Sequence, residues 1–166
     1  MALTTEQLPV LRAAIDAATD PAFVEARTNG QNTLMADWFN AASVPAFIVW
    51  KTKVSQDEIM QNGFDWVRVD NLSVGKARIW EWLFDNAEAA INPSKMNVRL
   101  GIDEVWKGTQ SDLNVRAAVY AHCKRPATRG ERLFATGAGS TETPGDLVYV
   151  GAIRDTDVGN AMQLEP

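Results

Sequence analysis

Few side chains in this sequence have the types and spacing that catalysis or metal binding requires. His122 is the only histidine, and it adjoins Cys123, the only cysteine. A thiol and an imidazole can act as a nucleophile–base pair or bind zinc. Neighbouring residues on a helix, however, point about 100° apart, so these two do not converge on one atom. The pair therefore indicates a helix end rather than a metal site or a catalytic thiol.

Carboxylates are the other possible source of chemistry. Asp103 and Glu104 are adjacent, and Glu81, Asp85 and Glu88 fall on one side of a predicted helix. Paired carboxylates support acid–base catalysis when their surroundings separate their pKa values. Neither a nucleophile nor an oxyanion-stabilising group accompanies them in the sequence. We interpret these five residues as a solvated acidic face, and we expect no enzyme activity.

A glycine-rich stretch, Gly137–Ser140 (GAGS), invites comparison with a phosphate-binding loop. The Lys-Ser/Thr pair that such a loop needs does not follow, and a helix rather than a strand is predicted before it. The stretch therefore predicts a flexible loop. No cofactor or metal is expected from any motif in the sequence.

The composition favours a folded protein of one domain, because the chain has 166 residues, 46% of them hydrophobic. A single cysteine excludes an intrachain disulfide and is typical of a reducing compartment. No stretch approaches the ~20 apolar residues that cross a bilayer. The first ten residues, MALTTEQLPV, lack the pattern of a signal peptide. We expect no membrane association.

Charge is distributed unevenly along the chain, whose formal net charge is −5. Residues 140–166 carry five acids and one base, whereas residues 116–132 carry five bases and one acid. Two interpretations are compatible with this pattern: two solvated faces, or two surfaces that complement neighbouring copies or partners. The overall acidity argues against tight nucleic-acid binding, which depends on Lys and Arg neutralising phosphates.

Capping residues and apolar periodicity predict a mainly α protein. Asp20-Pro21 is a typical helix start, Ser55-Gln-Asp-Glu58 is a capping-box pattern, and Ser73 can cap a long helix. The segment Phe64–Val69 is compatible with either a strand or a loop. The predicted helices are Thr5–Ala18, Pro21–Thr28, Asn32 or Thr33 to Phe39, Ser55 to Asn62-Gly63, Ser73 to about Ala90, Pro93 or Ser94 to Gly108, Thr109–His122 and Ala127–Ala135.

Two β-branched and aromatic runs, Phe47–Thr52 and Leu147–Ile153, predict short strands. The second stands at the end of the chain, after the polar loop Thr136–Gly145. Its backbone edges could pair with Phe47–Thr52 or with another chain. We accordingly divide the chain into a helical bundle core, residues 1–140, and an extended C-terminal arm, residues 141–166.

Six tryptophans are an unusual number for a chain of this length. Trp80 and Trp82 lie two residues apart on a predicted helix and must face different directions. If Trp82 packs in the core with Ile79, Trp80 is exposed. Trp80 is therefore the candidate interface aromatic, since exposed tryptophan is enriched at protein interfaces.

Two segments carry a resemblance to a known group of proteins. Phe23–Thr52 (FVEARTNGQNTLMADWFNAASVPAFIVWKT) and, less closely, Lys124–Ser140 (KRPATRGERLFATGAGS) resemble small proteins of tailed bacteriophages that are encoded near the head genes. The match favours the head–tail connector, or adaptor, family of virion structural proteins. The middle of the chain matches poorly.

The resemblance implies a mainly helical subunit of a ring, usually of about twelve copies, that sits beneath the portal protein. Such a ring joins the portal to tail or stopper proteins, encloses a channel through which DNA passes, and lies in the virion neck after assembly in the bacterial cytoplasm. On this basis the C-terminal arm should dock on the portal or an adjacent copy. The candidate partner-binding residues are Leu147, Val148, Tyr149, Val150 and Ile153.

The same resemblance makes the acidic face a candidate lining of the channel, because like charges repel passing DNA. Its members are Glu81, Asp85, Glu88, Asp103 and Glu104. Two other classes stay open: another head or neck component, such as a stopper, tail terminator or minor capsid protein, and an enzyme or regulator of unknown type. Stoppers and terminators are typically richer in strands, so a mainly helical protein would count against them.

Overall fold

The computed structural model describes residues 2–61 and 64–164, and the protein is mainly α, as the sequence predicts. Helices account for 52% of it, and only short strands accompany them. The helices of the described residues are α1 Leu8–Ala17, α2 Pro21–Thr28, α3 Asn32–Asn40, α4 Gln56–Ile59, α5 Trp66–Asp70, α6 Val74–Phe84, α7 Met96–Val105, α8 Gln110–His122, α9 Arg129–Phe134 and α10 Asp155–Met162. The strands are β1 Ile48–Trp50, β2 Val54–Ser55, β3 Ala90–Ile91, β4 Lys124–Pro126, β5 Ala135–Thr136 and β6 Asp146–Leu147.

Side-chain caps explain where several helices begin. The Asp20 carboxylate accepts the Phe23 N–H at 3.1 Å, and Pro21 occupies the first turn of α2. Thr109 and Asp112 form a reciprocal capping box at the start of α8. The capping box predicted at Ser55 precedes only one turn of helix, α4. The predicted end of that helix, Asn62-Gly63, lies outside the described residues.

Helix α6 ends at Phe84, earlier than the predicted Ala90. The Asn86 side chain ends it, because its oxygen accepts the N–H groups of Glu88 and Ala90 and its amide donates to the Ala90 carbonyl. An Asn that binds nearby backbone competes with helical hydrogen bonds. The freed chain forms β3, which pairs antiparallel with β2.

The chain folds as two compact units rather than as a core followed by an arm. Unit 1 comprises residues 1–49 and 126–166, and unit 2 comprises residues 50–125. The chain passes from one unit to the other within β1 and back within β4. Unit 2 is therefore an insertion within unit 1, and the predicted division at residue 140 does not match it.

Unit 1 has a core built from helices at both ends of the chain. Helix α10 packs against α1 and α3, and α3 also packs against α2 and α9. The fully buried side chains Leu11, Ile15 and Met35 meet Val158 and Ala161 of α10 in this core. The described part of residues 141–166 is thus folded into unit 1 and contains a helix that the sequence analysis did not predict.

Unit 2 has its own core around the indole of Trp106, which is fully buried. Helices α6 and α7 form its most extensive helix pair. Gly101 allows this close approach, since a Cβ at that position would lie 3.1 Å from the Leu83 side chain. The undecided segment Phe64–Val69 proves to contain a helix, α5.

Candidate functional site

Three of the five acids predicted to line a channel have ionic partners within unit 2. Glu88 pairs with Lys53 at 2.9 Å, and Glu104 pairs with Lys107. Asp103 accepts a hydrogen bond from the Tyr120 hydroxyl at 2.9 Å and lies 3.4 Å from Arg116. Each partner offsets the negative charge that its acid presents to solvent.

Glu81 and Asp85 differ from those three, because neither forms an ion pair within the part of the chain that the structure describes. Both are exposed and lie at the edge of a groove in unit 2 with a volume of about 550 Å³. Gln56 and six apolar side chains form the rest of its lining; the apolar residues are Met60, Trp66, Val69, Trp80, Trp82 and Phe84. The groove combines an acidic rim with an aromatic wall, which suits a partner that is both apolar and basic.

The expected orientation of the two neighbouring tryptophans was wrong. Trp80 is 4% exposed and packs on Phe84 and Trp106, whereas Trp82 is 65% exposed. The register of α6 explains the difference, since Trp80 lies four residues before Phe84, on the buried side of the helix. The exposed tryptophans of unit 2 are thus Trp82 and Trp66, which is 55% exposed, and not Trp80.

The five residues predicted to bind a partner divide into core and surface groups. Tyr149 and Ile153 are each 2% exposed and belong to the core of unit 1. Leu147 lies in β6, which pairs antiparallel with β5. Val148 and Val150, by contrast, are 68% and 42% exposed. These two are the exposed members of the set, and Leu147 is half-buried.

Hydrogen bonds hold this segment in place against α3. The Ile153 N–H donates to Asn40 Oδ1 and its carbonyl accepts from Asn40 Nδ2, both at 2.8 Å. The Tyr149 hydroxyl donates to the Ala152 carbonyl at 2.7 Å. The intrachain pairing that the sequence left open, between Leu147–Ile153 and Phe47–Thr52, is not the one described: Leu147 pairs with β5, and the bridge from Val49 reaches Gly145, before the predicted strand. The expected extended arm is therefore wrong for the described residues.

The segments Phe23–Val49 and Pro126–Ser140 both belong to unit 1 and contact each other there. The Ala127 N–H donates to the Phe47 carbonyl at 2.8 Å, and the Ser43 N–H donates to the Ala127 carbonyl at 3.0 Å. The Arg129 guanidinium lies 4.3 Å from the centroid of the Trp38 ring. Residues 80 to 91 positions apart in sequence thus pack together within unit 1.

The net negative charge of the protein belongs to unit 1. Unit 1 has eleven acidic and five basic residues, a net of −6, whereas unit 2 has ten acidic and eleven basic residues, a net of +1. The predicted acidic face lies entirely in unit 2, the unit without net negative charge. The spacing of acidic residues in the sequence therefore did not predict which unit carries the net negative charge.

The His122–Cys123 pair lies at the end of α8, as the sequence predicts. Cys123 is fully buried, and burial raises the pKa of its thiol to about 12. A thiol with so high a pKa is protonated and unreactive at neutral pH. Within the described residues, no group of three or more His, Cys, Asp or Glu side chains could hold a metal ion.

Comparison of the chain with protein-family models, curated proteins and solved structures gives no match. Among residues 2–61 and 64–164, none of the helices has the length and apolar character needed to traverse a membrane.

Proposed function

We propose that this protein is a structural subunit of a tailed-phage virion, an adaptor that joins the portal protein to tail or stopper proteins. In this proposal several copies, about twelve, form a ring in the virion neck around a channel for DNA. The protein assembles in the host cytoplasm, needs no cofactor and catalyses no reaction.

The observation that carries the proposal is the position of the two phage-like segments. They are far apart in sequence, yet Phe23–Val49 and Pro126–Ser140 belong to the same unit and share backbone hydrogen bonds. The intervening chain, which resembles the family poorly, forms unit 2. The resemblance is concentrated in one folded unit, and the dissimilar residues form an insertion. This distribution is expected for a related domain that has acquired an inserted domain.

The helical content favours an adaptor over the other neck components considered. Stoppers and tail terminators are expected to be richer in strands, whereas the strands described here are two or three residues long. Unit 1, with a net charge of −6, is the better candidate for the wall of a DNA channel. Like-charge repulsion would keep passing DNA from binding.

The decisive experiment combines the purified full chain with the portal protein encoded in the same phage genome. Mass photometry should detect a complex whose added mass equals a ring of 18.2 kDa subunits. The matched variant pair is Val148→Asp/Val150→Asp, which places charge on the exposed part of the predicted docking segment, and Leu34→Asp, which places charge on another exposed apolar side chain of unit 1. The first should weaken portal binding and the second should not.

Mass spectrometry of purified virions provides the independent check. The protein should be present in mature particles at a copy number comparable with the portal. Its absence from particles, together with no binding to the portal, would refute the adaptor function.

A further inference from the structure

Helix α6 carries a row of exposed side chains that nothing in unit 2 covers. Val74, Arg78 and Trp82 follow each other at four-residue spacing, and Glu81 and Asp85 lie beside them at three- and four-residue offsets. Val74 is 78% exposed and Trp82 is 65% exposed. We call these five residues the α6 stripe. The open side of the helix therefore presents a large indole and a valine to solvent.

The charges of the α6 stripe complement one another only when two copies run in opposite directions. Arg78 lies toward the start of the helix, whereas Glu81 and Asp85 lie toward its end. Within the described residues, none of the three forms an ion pair. An antiparallel second helix places Arg78 of one copy near the acids of the other, whereas a parallel helix places like charges together.

A two-fold axis between residues 81 and 82 suits the position of Trp82 as well. It sets Arg78 of one copy level with Asp85 of the other and brings both Trp82 side chains to the centre of the contact. The groove of about 550 Å³ lies directly beside Trp82, where Trp66 and Met60 offer apolar contacts. A central aromatic anchor surrounded by charged pairs is the usual arrangement of a protein interface.

We propose that the α6 stripe is a self-association surface, through which two copies of this chain pair antiparallel by α6. The contact is isologous: each copy supplies the same residues, with Trp82 as the anchor and Arg78 paired to Glu81 and Asp85. It does not depend on the adaptor function, because it requires only the purified chain.

Sedimentation velocity of the full chain over a concentration series tests this contact. The wild type should form a dimer, and Trp82→Ala should weaken dimerisation by about tenfold or more, as loss of a central aromatic anchor does. Arg78→Glu makes every charge of the stripe acidic, and Glu81→Arg/Asp85→Arg makes every charge basic. Each variant alone should remain monomeric, and an equimolar mixture of the two should restore dimers.

Two controls separate the stripe from general surface effects. Lys95→Glu reverses an exposed charge elsewhere in unit 2, and Val148→Ala truncates an exposed apolar side chain in unit 1. Both should dimerise as the wild type does, and circular dichroism should find every variant folded. A wild type that stays monomeric, dimers unaffected by Trp82→Ala, or a mixture that fails to restore dimers would each overturn the proposal.

Discussion

Arg129 and Trp38 are joined twice: the guanidinium lies 4.3 Å from the indole centroid, and its Nη1 donates to the Trp38 carbonyl at 2.9 Å. Arg129 belongs to α9 and Trp38 to α3, so this contact connects the two parts of unit 1 that flank the insertion. Trp38 also packs on Phe23, with ring centroids 4.7 Å apart. The arginine therefore covers one face of an aromatic cluster in the core of unit 1.

Arg129→Ala should destabilise unit 1 by about 1–3 kcal/mol, because it removes both the cation–π contact and the hydrogen bond. Arg129→Lys keeps the charge but loses the planar group that stacks on the indole, so its cost should be intermediate. Urea unfolding followed by circular dichroism measures both. Equal stabilities for the lysine variant and the wild type would show that the planar stacking contributes nothing.

Gly139 leaves room for the Phe47 ring. A Cβ at Gly139 would lie 2.2 Å from Phe47 Cδ2, and the glycine has φ +67°. Gly139→Ala should cost about 2–4 kcal/mol, through overlap with the ring and through backbone strain. Gly75→Ala is the matched control, since nothing lies within 4 Å of that position in α6. Thermal melts should find Gly75→Ala at least as stable as the wild type.

A double variant separates the two causes of the Gly139 effect. If overlap with the ring dominates, then Phe47→Ala in the same chain should relieve part of the loss, so that the two changes are less than additive. Strict additivity would instead assign the whole cost to the backbone conformation.

Acid should destabilise unit 2 through Asp112. The hydrogen bond from Arg68 holds the pKa of this carboxyl at about 2, well below its ordinary value of 3.8. Because the unfolded chain takes up the proton first, the stabilisation is fully present above pH 4 and is lost as the pH falls toward 2. Asp112→Asn should lose about 1–3 kcal/mol at pH 7 and have a flatter stability profile between pH 4 and pH 2. Urea midpoints across this range measure it, and parallel profiles for the two proteins would contradict it.

The effect of an introduced acid in the C-terminal segment should depend on whether the substituted side chain is buried. Tyr149→Asp or Ile153→Asp places an acid in the core of unit 1 and should abolish its cooperative unfolding, because an unpaired buried charge is costly. Val148→Asp and Val150→Asp alter exposed side chains and should leave stability nearly unchanged.

Deleting residue 145 onward should unfold unit 1, since α10 would be lost from its core. A stable truncated protein would restore the arm interpretation.

Cys123 reports on unit 2, because its thiol is fully buried and has a pKa of about 12. The native protein should react with a thiol reagent at pH 8 far more slowly than the urea-unfolded chain. Rapid labelling of the native protein would mean that the end of α8 opens readily.

Local sequence signals were sufficient to predict the end of a helix where that end depends on the helix's own capping residues. Asp20-Pro21 fixed α2 at the predicted bounds, Pro21–Thr28, and Thr109 began α8 at the predicted position. In α6 the cap at Ser73 was right, but the far end depended on the Asn86 side chain, whose binding to nearby backbone the apolar pattern does not reveal.

Long-range packing determined the features that local sequence patterns did not predict. The run Leu147–Ile153 has strand propensity, yet only Leu147 joins a strand, because Asn40 of α3 binds Ile153 and draws the chain onto the helices. Helix α10 was missed since Gly159 and its short apolar pattern give a weak signal. The orientation of Trp80 and Trp82 required the register of α6 against Phe84 and Trp106, which spacing alone leaves ambiguous.

The hydrogen bond between the Ala127 N–H and the Phe47 carbonyl means that the chain leaves unit 1 and re-enters it at nearly the same place. The two ends of the insertion are thus already held together by unit 1, so a short turn between them would cost little loop-closure entropy. Because these two ends lie close together, residues 50–125 can be replaced by a short linker or by a foreign domain. The protein consequently offers a modular scaffold, in which the inserted body can be exchanged while the host domain keeps its core.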